Sequence, residues 1–293
     1  REAFMPAPAA AVGQSYWQVA WRRFRKHRLA IIGGVIAASL SLMALLAPWV
    51  APYAFDRLSL GSRWAPPGAA HWFGTDELGR DVLTRIMYAG RVSLLVGYVV
   101  AANVAVIGML VGAVSGFYGG FVDAVLMRLV DVLLSVPTLP LYLILSALIP
   151  GGGVWRIILI FTAFGWTGVA RLVRGQVLSL RHQDFVEAAR VVGVSETRLI
   201  VRHLLPNALA PVIVAATLAV GGAILGESAL SFLGLGIAPP TPSWGNMLQR
   251  AQEYIWNAPH LAIVPGFFIF ITVLSFNFLG DGLRDALDPR LKI

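Results

Sequence analysis

Six long apolar runs leave this 293-residue chain few ways to fold. They lie at 29–50, 92–117, 124–149, 157–173, 207–236 and 261–283. Each is near or above the roughly 20 residues that an α-helix needs to cross bilayer hydrocarbon. Backbone N–H and C=O groups must be satisfied within such a segment, so each run is expected to be helical. Composition agrees, with 57% of residues hydrophobic, 13% charged and a mean hydropathy of +0.73. A soluble domain carries about 25% charged residues. The expected fold is therefore an all-α integral membrane protein with six transmembrane helices.

The net charge of +8 and pI near 10.4 would suit a nucleic-acid partner, but the cations lie beside the apolar spans. They read as topology determinants, and no nucleic-acid partner is expected. With the N-terminus inside, segments 1–28, 118–123, 174–206 and 284–293 carry 14 Lys and Arg. The opposite segments, 51–91, 150–156 and 237–260, carry 7. This asymmetry predicts both termini in the cytoplasm. The chain then divides into a cytoplasmic tail and interfacial helix (1–28), a membrane domain (29–283) and a cytoplasmic tail (284–293). Residues 1–15, rich in Ala, Pro and Gly, read as disordered. Aromatics and cations from Tyr16 to Arg28 predict a helix on the anionic lipid of the inner leaflet. The apolar run after it is too long for a signal peptide. Cysteine is absent, which excludes disulfides and thiolate metal sites.

Between the fourth and fifth spans, residues 184–207 read as a helix–turn–helix elbow. Asp184 and Glu187 have capping-box spacing, and Phe185, Ala188, Ala189 and Val192 follow at helical spacing. Gly193 suits a left-handed helix end, Ser195 can cap a second short helix, and Pro206 is expected to close it. Ala188 and Ala189 leave little side chain between the backbone and a docking partner. The residues alone also allow an ordinary amphipathic cytoplasmic loop.

Glu187-Ala188-Ala189, Gly193 and Leu205-Pro206 resemble the EAA loop of permease subunits in ABC importers. In that family the loop forms coupling helices that dock in a cleft of the ATPase subunit. The resemblance therefore implies an ATPase-coupling role for Asp184, Glu187, Ala188, Ala189, Gly193, Leu205 and Pro206. A second block, from His71 to Leu94, resembles the GTD…GRD…R…YG.R.SL signature of the dipeptide/oligopeptide/nickel class. Here it reads Gly74-Thr75-Asp76, Gly79-Arg80-Asp81 and, with a small departure, Tyr88-Ala89-Gly90-Arg91. Physically these are capped turns leading into a short helix. The alternative is an Asp/His metal site from His71, Asp76 and Asp81, which lack helical ligand spacing. A third block, Gly280 to Arg290, resembles the family's GD.LRD.LDPR terminus and reads as a short charged helix stopped by Pro289. The resemblance covers about residues 17–293.

Several span residues invite a pathway or gating role. Arg128 and Asp131 lie one helical turn apart in the third span, Asp131 about 10 Å along it. A mutual ion pair is the structural reading, and an ionisable residue within a membrane also invites a functional one. Pro137 and Pro140 should kink this span. The fourth span can continue as helix to Leu180. The fifth, 30 residues and about 45 Å long, is expected to break or tilt near Gly221-Gly222. Glu227 falls near its outer boundary, either as a solvated interfacial carboxylate or as a pathway-lining group. The segment from Pro239 to Gly245 looks like a rigid outer loop with an aromatic at the interface.

No P-loop, HExxH or GxSxG pattern occurs, so neither an ATP site nor hydrolytic residues are visible in this chain. The resemblance implies a type I ABC importer transmembrane domain forming half of a pathway for short peptides, or for nickel chelates and other small solutes. It also implies a second permease subunit of the same fold, one or two cytoplasmic ATPases and an extracytoplasmic substrate-binding protein. ATP and Mg would be bound by the ATPases, in a bacterial or archaeal cell membrane. Two other classes are an ion-gradient-driven secondary transporter and a non-transport assembly or sensor protein. The former would show internal repeats and ionisable groups near the midplane.

Overall fold

A computed structural model describes residues 16–151 and 153–287. The expectations for residues 1–15 and Pro289 fall outside this range. Helix α1 (Tyr16–Phe24) is followed by a short turn and then α2 (Arg28–Val50). His27 Nδ1 caps α2 by accepting from Ala30 N at 3.1 Å. The stretch from Tyr16 to Arg28 is thus a helix and a turn rather than one continuous helix.

The axis of the bundle is α3 (Val82–Tyr118), whose 37 residues span about 55 Å. It begins ten residues before the apolar run because Asp81 caps it, accepting from Thr84 N at 2.8 Å. The short helix expected in the outer loop is therefore the first turns of a membrane span. Gly119 and Gly120, both at positive φ, turn the chain into α4 (Gly120–Ser135). Helix α5 (Thr138–Leu148) follows at 86° to α4. This is more than a kink. Val136, preceding proline, is extended at φ −89° and ψ 128°, and Pro137 then caps α5. Pro140 lies in the first turn of α5, where a missing N–H breaks no bond.

Helix α6 (Val154–Leu180) runs along α3 and reaches Leu180 as expected. Their contact is close because Gly108, Gly112 and Gly116 line one face of α3 at four-residue spacing. A Cβ on Gly108 would come within 2.6 Å of Val169 Cβ, and one on Gly116 within 2.9 Å of the Arg174 carbonyl. One on Gly112 would overlap the Ala170 carbonyl oxygen. Small residues at this spacing let backbones approach within a membrane, where burial against lipid supplies little drive.

Two short helices, α7 (Asp184–Val191) and α8 (Glu196–Leu199), lead through a π-helical turn at Ile200–Leu204 into α9 (Leu205–Phe232). Helix α9 has no break at Gly221-Gly222. Two interior glycines cost about 1 kcal/mol each relative to alanine, and α3 and α12 pack against this helix. It ends instead at Phe232, where Gly234 at φ +79° lets Leu235 N reach the Leu230 carbonyl at 2.9 Å. The chain continues through α10 (Trp244–Gln249), α11 (Ala251–Tyr254) and α12 (His260–Leu287). Helix α12 packs on α2 and α9 and runs unbroken to Leu287, so Gly280 to Leu287 is its end rather than a separate helix. Among the described residues, five helices are long and apolar enough to cross a membrane, or six if the bent α4–α5 pair is counted as one span.

Candidate functional site

The elbow is built on the far ends of α3 and α6. Arg181 caps α6 and donates from Nη1 to the Gly116 carbonyl at 3.2 Å. Helix α7 starts after Gln183, so Asp184 is its first helical residue rather than its cap. The capping box is absent. Asp184 and Glu187 instead place negative charge in the first turn, where it complements the helix dipole. Gly193 has the expected left-handed conformation at φ +80°. Gly193 N donates to the Arg190 carbonyl at 2.9 Å and Val194 N to the Ala189 carbonyl at 3.1 Å, the paired bonds of a Schellman cap. Ser195 precedes α8 without a side-chain cap bond.

Pro206 does not end the second helix. It lies inside the helical run from Glu196 to Phe232, where the missing N–H leaves one helical bond unmade. The backbone adapts just before it, where Leu205 N reaches back five residues to the Ile200 carbonyl. The elbow therefore joins the fifth span through continuous helical backbone.

Val186, Leu199 and Leu204 are buried in the core shared by α3, α6 and α9. The Arg190 guanidinium lies 5.5 Å from the Phe117 ring centroid. Ala189 is half-buried, packed against this core. Asp184, Phe185, Glu187 and Ala188 are exposed, as are Val191 at 88% and Val192 at 83%. The result is a short helix seated on a rigid base, with a small residue and an apolar tip facing solvent.

At the other end of α3, the signature residues form a folded loop. Asp76 is buried and accepts from Leu78 N, Arg80 N and Arg80 Nε at 2.9, 2.9 and 2.6 Å. Thr75 pairs with Asp81 through a backbone bridge and accepts from Ala65 N at 2.9 Å. Asp81 also meets His71 Nδ1 at 2.9 Å. Gly74 and Gly79 both have positive φ, and a Cβ on Gly79 would overlap the Ser59 carbonyl. His71 and Asp81 thus face each other while Asp76 is wrapped by arginine, and the three do not converge as ligands.

Glu227 is neither solvated nor pathway-lining here, because it is fully buried. Ser93 Oγ donates to Glu227 Oε2 at 3.1 Å and Ser231 Oγ to Oε1 at 2.6 Å. Each hydroxyl in turn accepts a backbone N–H from the returning loop, Trp244 N at 3.2 Å and Ile237 N at 3.1 Å. Trp244 is likewise fully buried rather than interfacial, with Nε1 donating to the Ile86 carbonyl at 3.1 Å. Arg156, which the sequence did not single out, donates to the Leu235 and Gly236 carbonyls at 2.8 Å each and to Ser146 O at 3.1 Å. It joins the α5–α6 turn to the end of α9.

Arg128 and Asp131 do not pair. Asp131 is bonded to Arg171 on α6, while Arg128 is exposed without an ion-pair partner among the described residues. One turn along α6, Arg174 clasps Asp123 at 2.6 and 2.7 Å. Pro137 sits exposed at the α4–α5 corner.

Residues 108–293, which include the whole elbow, match the family described as the binding-protein-dependent transport system inner membrane component. The chain belongs to this family. Residues 15–67 match the N-terminal transmembrane domain of oligopeptide transport permease C. The permease is 46% identical over 279 residues to the dipeptide transport system permease protein DppC of Bacillus subtilis (strain 168), covering 95% of this chain and 87% of the relative. It is 41% identical over 278 residues to the oligopeptide transport system permease protein OppC of the same organism, with 95% and 91% covered. The glutathione transport system permease protein GsiD of Escherichia coli O157:H7 is 41% identical over 282 residues, with 94% and 91% covered. The permease is thus a multi-pass inner-membrane transport subunit with the type I ABC importer membrane fold.

Proposed function

We propose that this permease forms half of the translocation pathway of an ATP-driven importer of short peptides. The dipeptide, oligopeptide and glutathione systems named for its relatives support that cargo class. Its partners would be a second permease subunit of the same fold, one or two cytoplasmic ATPases that hold ATP and Mg, and an extracytoplasmic binding protein. Both termini and the elbow would face the cytoplasm, with residues 29–283 as the transport domain between tails 1–28 and 284–293.

The observation that carries this reading is the elbow's construction. Its exposed face, with Ala188, Val191 and Val192, fits an apolar cleft, while Val186 and Leu199 anchor it in the bundle. An ATPase pair that closes on ATP would displace α7 as a body. The continuous backbone from Glu196 into α9 would then carry the displacement into the fifth span. ATP would bind the two arrangements of the complex with different affinity and so shift their populations.

Uptake of a radiolabelled dipeptide by cells expressing the whole system tests the reading. Uptake should require this chain and an ATPase with an intact nucleotide site. Uptake that persists after ATPase inactivation and collapses with the ion gradient would contradict it.

A further inference from the structure

A pocket of about 150 Å³ opens at the end of the bundle opposite the elbow, lined by the segment from Asp76 to Arg85 and by α10 and α11. Arg80, Arg85 and Arg250 contribute to its walls, as do Asp76 and Glu77. Both carboxylates are already committed, Asp76 to Arg80 and two backbone N–H groups and Glu77 to Arg80 Nη2 at 3.2 Å. Arg85 is not satisfied in this way. It is 7% exposed, its Nε lies 3.5 Å from Asp76, and its buried Nη1 has no hydrogen-bond partner among the described residues. Leaving such a donor unpaired costs about 1–3 kcal/mol, more for a charged group. Arg250 is exposed, with no ion pair among the described residues.

We propose that this pocket binds a carboxylate, the C-terminal carboxylate of the peptide cargo. The inference rests on the peptide-importer reading above. Arginine forks match the two oxygens of a carboxylate, and a buried guanidinium in the pocket lining is shielded from competing water. Arg85 supplies the buried donor and Arg250 the outer cation. Peptides differ in every side chain but share this terminal group, so a grip on it is independent of cargo sequence. A pocket of this size takes a terminal residue and leaves the rest of the peptide outside.

The test adds Ala-Ala labelled with ¹³C at its carboxylate to the assembled importer in nanodiscs, without binding protein, and measures broadening of the label's resonance. The parent complex should broaden the signal. Excess unlabelled Ala-Ala should restore it, and the C-terminal amide should not. Arg250→Gln, at an exposed site where folding is not at stake, should weaken binding several-fold. Arg85→Gln should weaken it about tenfold or more, and Arg63→Gln, which does not line the pocket, should have no effect. No broadening by the parent, equal competition by the amide, or parent-like binding by Arg250→Gln would overturn the pocket. Broadening seen only once binding protein is added would assign the carboxylate contact to that protein and also overturn it. Cellular uptake of the same dipeptide separates the two readings. Uptake without carboxylate-dependent broadening refutes the pocket alone, whereas absence of uptake refutes the peptide reading and this ligand with it.

Discussion

The Asp123 carboxylate on α4 is held by Arg174 of α6, with Nε at 2.6 Å from one oxygen and Nη2 at 2.7 Å from the other. Helix α4 buries only Val130 among its side chains, so this clasp and the Asp131–Arg171 pair fasten it to the bundle. The clasp is partly exposed, and screening limits its worth to about 1 kcal/mol. Asp123→Asn and Arg174→Gln should therefore be non-additive in a double-mutant cycle followed by denaturant unfolding in detergent. Arg128→Gln, which breaks no pair, should stay within about 0.5 kcal/mol of the parent. Strict additivity of the first two changes would remove the clasp from the account.

Glu227 holds the returning loop at two points through Ser93 and Ser231. Glu227→Ala should strand both hydroxyls and lower stability by about 2 kcal/mol or more. Glu227→Gln, which can still accept from one serine, should cost less. Protease cleavage within residues 237–250 should rise in the same order, and equal behaviour of the two variants would contradict the lock.

The α3–α6 contact gives a steric prediction. Gly112→Leu drives a side chain into the Ala170 carbonyl and should lower the yield of folded protein sharply, with overpacking alone costing about 1–3 kcal/mol. Gly168→Ala, whose Cβ would meet nothing within 4 Å, should be neutral or slightly stabilising. Equal stability of the two variants would mean that α3 and α6 do not pack as described.

Orientation can be read by labelling. The chain has no cysteine, so Ser62→Cys and Ser195→Cys introduce single thiols. An impermeant maleimide applied to intact cells should label the first and spare the second. The reverse pattern would invert the topology. Ser243, buried as the cap of α10, is unsuitable as a probe.

What was legible in the sequence was mostly local. Asp81, Gly193 and the extension of α6 to Leu180 follow from capping chemistry and apolar periodicity, which need only near neighbours. Pro206 shows the limit of that chemistry, since a proline usually ends a helix, yet here the helical backbone continues past it through the π turn. The remaining features depend on which elements lie side by side. Asp123 finds Arg174 51 residues away and Asp131 finds Arg171 40 residues away, so Arg128, three residues from Asp131, was the nearer but wrong partner. Glu227 is buried where α3 and the returning segment meet α9, a junction that its near neighbours in sequence do not reveal. Ala189 faces inward because α3 and α6 present a core to it. One non-local feature is readable in the sequence itself: the four-residue spacing of Gly108, Gly112 and Gly116 marks the face on which α6 packs.

On the function proposed above, the elbow transmits ATPase motion to the spans. Gly193→Val puts a β-branched residue at φ +80°, costing roughly 1–2 kcal/mol locally and reorienting α8. Ala188→Glu places a charge on the exposed face of α7. Neither change touches a span. The most direct measurement is ATP hydrolysis by the complete importer in proteoliposomes, with and without substrate-loaded binding protein, at matched permease content. Both variants should insert normally and lose most of the stimulated rate, about tenfold or more, through failed docking or failed transmission. Parent-like stimulation in both would contradict transmission through the elbow.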